Sequence, residues 1–288
     1  MNQEVESEKK LPPSYSLPGL FWILLFLVAP LLIVVFCSFL KRAPTGGLIY
    51  EFTIENYLRA LDPIFLTILF ESFQLALLTA FSCLLLGYPV AYVLATLKKP
   101  WRTVMMILLV IPFWTNLVVR TFAIRQMIGD QGPINHFLLD MGWVDEPIHF
   151  LNSFGAVYVG MVMNYLPFMV LPLYVTLEKF DFTLFEAARD LGASSLNIIR
   201  RVLLPLTKPG MITGFIFVFT PALGEFLIPD LLGGSKTMLI GNLISHQFLK
   251  VRDWPFGSAL SLLLMVVVIV SLVIVQRTWK NGPRSSLG

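Results

Sequence analysis

Charge is the scarcest ingredient of this chain. Only 14% of its 288 residues are Asp, Glu, Lys or Arg, against roughly a quarter in soluble globular domains, while 56% are hydrophobic. With a mean hydropathy of +0.77, an ordinary water-soluble domain is excluded and an all-α integral membrane protein is indicated. Cysteine is nearly missing. Cys37 and Cys83 both fall inside apolar runs, so there is no disulfide framework and the redox compartment is not readable. Histidine is almost as rare: His136, His149 and His246 are scattered, with no Gly-x-Ser-x-Gly and no His-Glu-x-x-His. A nucleophile with its base, or a metal cluster, is what an intramembrane enzyme needs. The chain is therefore read as non-catalytic, with no cofactor and no metal. The net charge of +3 is small and gives no reason to invoke nucleic acid.

What is present is a set of long apolar runs. A hydrocarbon core of about 30 Å needs about 20 apolar residues in a helix. Six windows qualify as transmembrane helices: 20–40, 72–97, 103–127, 150–177, 210–232 and 255–276, the fifth interrupted by Glu225 and Asp230. Residues 1–19 and 277–288 are then polar tails, and six spans place both on one side. The first window is read as a retained anchor, since Glu4, Glu6 and Glu8 stand beside Lys9 and Lys10 and no small-x-small cleavage site follows. With both termini cytoplasmic, 13 of the 21 Lys and Arg residues fall inside and six outside, with Arg120 and Arg125 near a span end. That bias is the positive-inside pattern. The 129–149 loop, with Asp130, Asp140, Asp145 and Glu146 and no Lys or Arg, agrees. Lys41 and Arg42 run against it.

Between the fourth and fifth windows, the loop 178–209 is unusually ordered for its place. Thr183 followed three residues later by Glu186 has the spacing of a capping box, which starts a helix near Leu184. Leu184, Ala187, Ala188 and Leu191 recur at helical spacing, and Gly192 can take the left-handed conformation that stops a helix. Ser194 or Ser195 can cap a second helix through Ile198, Ile199 and Val202, which Pro205 ends or kinks. A polar helix–turn–helix of this kind needs something to dock against.

These residues resemble the signature of the inner-membrane permease subunits of binding-protein-dependent ABC importers: Glu-Ala-Ala, three residues, Gly, nine residues, Ile, one residue, Leu-Pro. The match lies at Glu186, Ala187, Ala188, Gly192, Leu204 and Pro205, with Val202 in the Ile place. The segments 112–121 and 224–234 are similar to those of the spermidine/putrescine permeases of the PotB type. The resemblance implies a type I ABC importer permease fold with a cytoplasmic coupling helix in the bacterial inner membrane. Its implied partners are two copies of an ATPase subunit, a second and distinct permease, an extracytoplasmic solute-binding protein and a small cationic solute. No Gly-Lys-Ser/Thr order is present for a phosphate loop, so ATP hydrolysis resides in a partner chain. Glu186, Ala187, Ala188, Leu191, Gly192 and Pro205 are the expected coupling residues. An importer for another small solute fits the same signature, whereas an ion-coupled secondary transporter has no need of a docking loop.

Within the spans, Ser72, Ala76, Ala80, Gly87, Ala91 and Ala95 lay small side chains on helical stripes, a pattern of close backbone packing. Pro89, Pro112, Pro167, Pro172, Pro221 and Pro229 predict kinks held by neighbouring helices. An acidic residue at mid-helix costs about 2.5–3.5 kcal/mol on insertion scales. Glu225 therefore does not face lipid. At 1.5 Å per residue it lies about 22 Å along its helix from Gly210, and Arg120 about 25 Å from Thr103, at similar depth. Two readings are open: the pair form an ion pair, or Glu225 meets a cationic solute on a watery path with Trp114 or Tyr165 offering a ring face. Asp230, one and a half turns further, is placed at the interface and counted with Glu225, Trp114 and Tyr165 as a candidate residue of the substrate pathway.

Overall fold

A computed structural model of the chain describes residues 17–44, 46–234 and 237–280. The tails expected at 1–19 and 277–288 lie mostly outside the described residues, and the helices claim the rest of them. Helix α1 (Leu17–Ile23) runs through a π turn at Leu24–Val28 into α2 (Ala29–Ser38). The wide turn ends just before Pro30, where the chain has no N–H to give the helix ladder. A short antiparallel hairpin comes next, β1 (Leu40–Arg42) against β2 (Leu48–Phe52), then α3 (Glu55–Ala60).

The second span, α4 (Pro63–Thr96), starts earlier than the uncharged window at 72–97 suggested. Asp62 caps it by accepting from Ile64 N at 2.9 Å, and Glu71, the residue that cut the window short, is simply exposed on its surface. The third window is not one straight helix. α5 (Lys99–Val110) passes through a tight turn at Ile111–Trp114 and meets α6 (Leu117–Ile128) and α7 (Pro133–Asp140) after a 99° bend. Pro112 interrupts the ladder, and Asn116 caps the new helix by accepting from Val118 N at 2.8 Å. α8 (Phe154–Glu178) is the most buried span and continues through Pro167 and Pro172. Beyond α9 (Thr183–Asp190) come α10 (Ser195–Ile198), α11 (Leu204–Leu223), α12 (Ile240–His246) and α13 (Trp254–Lys280). Among the described residues five helices are long and apolar enough to cross a membrane, and the bent pair makes a sixth if it is one span.

The centre of the bundle is α4, α8 and α11. The small-residue stripe serves as expected: Ser72, Ala76, Ala80, Gly87 and Ala91 are buried. A Cβ on Gly87 would stand 3.2 Å from Met169 and 3.3 Å from Val170, so its absence sets how closely α4 approaches α8. A smaller cluster of Ala60, Ile240, Leu243, Phe256 and Leu260 ties α3 and α12 to α13. Beside it Asp253, fully buried, caps α13 through Phe256 N and accepts from Arg59 Nη1 at 2.8 Å, with Arg42 Nη1 at 3.7 Å. Arg59 also lies 4.0 Å from the Phe256 ring centre. Two of the six positive charges counted against the inside bias, Arg42 and Arg59, thus share one carboxylate, which offsets one of the two charges. The Asp253-Trp254-Pro255 order was a readable helix start, but its arginine partners were not readable from spacing.

Candidate functional site

α8 ends at Glu178, which accepts from Tyr174 Oη at 2.7 Å and from Arg102 Nη1 at 3.1 Å, fixing the start of α5 beside it. The chain then turns through Phe180 and Phe182 into α9. The rings of Phe180, Phe182 and Phe185 meet edge-on with centroids 5.1–5.8 Å apart, and Tyr92 of α4 reaches Phe182 at 6.1 Å. This aromatic knot seats the short helix on the bundle. The expected capping box does not form. Asp181 Oδ1 accepts from both the Thr183 amide (3.0 Å) and the Thr183 hydroxyl (2.7 Å), so Thr183 is the first helical residue rather than the cap. An aspartate two residues upstream offers a charged acceptor at shorter reach, and it wins over the hydroxyl. The Thr183 hydroxyl and amide hold the Asp181 carboxyl below its ordinary value.

The helix stop is as expected. Gly192 takes φ +77°, its N–H donates to Arg189 O at 2.8 Å, and Ala193 N–H donates to Ala188 O at 3.0 Å, the paired bonds of a Schellman ending. Ser194 caps α10, accepting from Asn197 N at 3.4 Å. Pro205 neither ends nor breaks the second helix. A π turn at Ile199–Leu203 comes first, with Leu204 N bonded to Ile199 O, and α10 through α11 forms one 29-residue span from Ser195 to Leu223. The wide turn takes up the place where proline's missing donor would have left a gap.

The exposed face of this knob is defined by the side chains that point away from the aromatic knot. Phe182, Phe185 and Ala188 are half-buried against the bundle, whereas Leu184, Glu186, Ala187 and Gly192 are exposed. Leu191 is 89% and Leu196 74% exposed, large apolar side chains on an otherwise polar element. The expected contact set therefore divides: Ala187 and Leu191 look outward, Ala188 inward. A cavity of about 320 Å³ lies beneath the knob, lined by Tyr88, Tyr92, Phe185, Arg189, Ile198 and Leu203.

The second polar feature is a break inside the fifth span. α11 stops at Leu223, residues Gly224–Phe226 leave the helix, and a π turn forms at Pro229–Gly233, so the window at 210–232 is not a continuous helix. Glu225, 8% exposed, sits at the break. Its Oε2 accepts from Tyr165 Oη at 2.6 Å, and its Oε1 from the amides of Leu227 (2.9 Å) and Ile228 (3.4 Å). The ion pair with Arg120 is not formed. Arg120 Nη2 instead donates to the carbonyls of Pro112 and Thr115, closing the bend between α5 and α6. Each charge is used at its own helix break, because a broken ladder leaves backbone groups that a nearby side chain can satisfy.

Trp114 and Tyr165 are not neighbours of one site. Trp114 is 86% exposed, in a groove of about 540 Å³ with Lys99, Arg102, Met106, Val110 and Tyr174. Tyr165 is buried on Glu225. Rings do connect the two breaks, from Phe113 to Phe168 (4.8 Å) and from Phe168 to Tyr165 (6.0 Å). Asp230 is exposed and receives the Asn242 amide at 3.4 Å, while the same amide donates to Phe226 O at 2.7 Å. Sequence spacing carried no signal for Asn242. Among the described residues no cluster of His, Cys, Asp or Glu could hold a metal.

The family model for the binding-protein-dependent transport system inner membrane component matches residues 14–279. The chain belongs to this family. Among curated relatives, the spermidine/putrescine transport system permease protein PotB of Escherichia coli (strain K12) is 44% identical over 256 residues, covering 89% of this chain and 93% of the relative. PotB of Haemophilus influenzae is 41% identical, covering 90% and 91%. In three dimensions the permease is similar to a chain of a bacterial ABC transporter involved in the import of the acidic polysaccharide alginate. That match has a TM-score of 0.78 at 16% identity, over 94% of this chain and 95% of that one. At that identity the likeness establishes the fold, a type I ABC importer permease fold, and nothing about the solute.

Proposed function

We propose that this permease is one of two membrane subunits of an ATP-driven polyamine importer. The observation that carries the reading is the 44% identity to PotB spermidine/putrescine permeases along nearly the whole length of both chains. In this reading a solute-binding protein delivers the polyamine outside, a distinct second permease completes the pathway, and two ATPase copies work at the cytoplasmic side. Both termini then face the cytoplasm, on the side of the knob at Asp181–Pro205.

Leu184, Ala187, Leu191 and Leu196 are the surface offered to an ATPase groove, with Glu186 at the rim. The Schellman ending at Gly192 makes the two short helices one rigid unit, and the aromatic knot attaches it to α4 and α8. Closure of the ATPase pair then moves the unit as a lever and rocks the spans. Glu225 contributes by holding the break in the fifth span open to the pathway rather than by meeting the solute directly, since Tyr165 and two amides occupy its oxygens here.

The test is uptake of radiolabelled spermidine by cells carrying this permease with its partner subunits. Uptake that needs ATP and survives a dissipated proton gradient is the expected result. Uptake driven by the proton gradient would replace the importer with an ion-coupled carrier.

A further inference from the structure

α5 turns a single narrow stripe toward the bundle. Arg102, Met106, Leu109 and Val110 are half-buried at helical spacing, and no residue of α5 is fully buried. The stripe begins with a charge. Lys98 and Lys99 just before it are exposed, whereas Arg102, with 27% of its side chain exposed, turns to the bundle and places Nη1 3.1 Å from Glu178 Oε1. An arginine at a span end can extend its stem to water, so this one is held in by its partner.

Glu178 stands at the joint between a span and the knob. It is the last residue of α8, and only Lys179 and Phe180 separate it from Asp181, where the knob begins. Its Oε1 also accepts from Tyr174 Oη at 2.7 Å, one helical turn back, which fixes the carboxylate on its own helix. Among the described residues no other Lys or Arg lies within ion-pair distance of Glu178. The middle of α5 is loosely held. A groove of about 540 Å³ runs along Thr103, Met106 and Val110, with Tyr174 of α8 on its wall. Beyond the groove, in the tight turn beside the 99° bend, the Phe113 ring meets Phe168 of α8 at 4.8 Å. α5 thus has a polar tie at its start, a ring contact past its end, and open space between the two.

An ion pair this open to solvent adds little stability, but one whose carboxylate is already fixed by a second donor sets position. We propose that Tyr174, Glu178 and Arg102 form a strut that carries the movement of the knob into α5. As the ATPase pair closes and the knob shifts, the end of α8 takes the start of α5 with it. α5 then swings about the tight turn at Ile111–Trp114, where Pro112 has already removed a ladder bond. Without the strut the knob still docks, and α5 stays behind. The three are positioning residues, acting through α5 rather than on the solute, and the proposal rests on the importer reading above.

The test uses the complete importer in proteoliposomes with ATP, reading radiolabelled spermidine uptake and ATP hydrolysis together. Arg102→Met and Glu178→Gln are each expected to lower the spermidine carried per ATP roughly tenfold, while the ATPase subunits still co-purify and still hydrolyse ATP. Exchanging the charges, Arg102→Glu with Glu178→Arg, should return about half of the lost coupling. Tyr174→Phe should have a smaller effect, roughly twofold. As a second measurement, Arg102→Cys with Glu178→Cys should be uncoupled when unreacted and regain transport when a short bis-maleimide joins the two thiols, the native Cys37 and Cys83 being buried. Uptake and hydrolysis that fall together as the ATPase subunits are lost would mean a merely structural role. That result, an unchanged ratio, an exchanged pair no better than the single variants, or a linked pair that stays uncoupled would each overturn the strut. Wild-type importer whose uptake ignores ATP would instead overturn the importer reading, an outcome distinct from ATP-driven uptake that ignores these substitutions.

Discussion

The knob at Asp181–Pro205 and the break at Gly224–Asp230 both interrupt apolar helix with polar backbone, yet they are stabilised in opposite ways. The bonds that cap and turn the knob span two to five residues: Asp181 to Thr183, Gly192 to Arg189, Ala193 to Ala188, Asn197 to Ser194. The break adds to its local bonds, Glu225 to the amides of Leu227 and Ile228, two of longer reach, Tyr165 to Glu225 across 60 residues and Asn242 to Phe226 across 16. The knob is largely exposed; the break has a buried carboxylate at its centre. Where water is at hand, a local turn code is enough, because any backbone group it misses is hydrated. Where water is excluded, every freed donor must find a protein partner, and that partner comes from whichever helix packs there.

The comparison breaks first at Gly192. Its φ of +77° is closed to proline, and its N–H is used, so Gly192→Pro should abolish ATP-driven uptake while leaving the permease in the membrane. Uptake alongside an immunoblot of the membrane fraction checks both halves, and normal transport by this variant would remove the rigid knob from the mechanism. At the break, Glu225→Leu strands the Tyr165 hydroxyl and the amides of Leu227 and Ile228, each costing about 1–3 kcal/mol when buried. The expected result is a large drop in the detergent melting midpoint and in membrane yield, with Glu225→Gln recovering much of it. Equal behaviour of the two variants would show that the carboxylate's acceptors are not what holds the break.

A smaller effect sharpens the same point. Tyr165→Phe removes one hydrogen bond to a charged group and should cost about 1.5–3 kcal/mol in the same melting assay, without moving the protease sensitivity of the knob. The smallest effect belongs to Asp181. Thr183 lowers its carboxyl in the folded protein, so its capping contribution is in place above the unfolded-state value and is lost as pH falls through the lower folded value. Limited proteolysis at residues 181–195 should therefore rise as pH drops below the ordinary aspartate range, and Asp181→Asn should flatten that rise.

Much of the fold was legible because a membrane span is an energetic demand that composition alone expresses. The small-residue stripe on α4 was legible for a related reason: close approach needs small side chains at fixed intervals wherever the partner comes from. The stop at Gly192 and the cap at Ser194 were legible since both bind only their own neighbours. Thr183 was misread because two local acceptors compete there, and the preference for Asp181 depends on a charge at shorter reach. At Pro205 only the ending of the helix was excluded, because a proline announces a missing donor without saying how the turn before it will adjust.

By itself, then, the sequence determined that the chain lives in a membrane as a bundle of apolar helices, and where a polar knob stands between two of them. Those properties derive from hydrophobicity and from hydrogen bonds of a few residues' reach. Only the tertiary structure decided that Glu225 bonds Tyr165 and not Arg120, that Asp253 holds two arginines, and that Asn242 bonds the carbonyl of Phe226. A buried polar group takes the partner that packing brings within about 3 Å, and no spacing along the chain encodes which helix that will be.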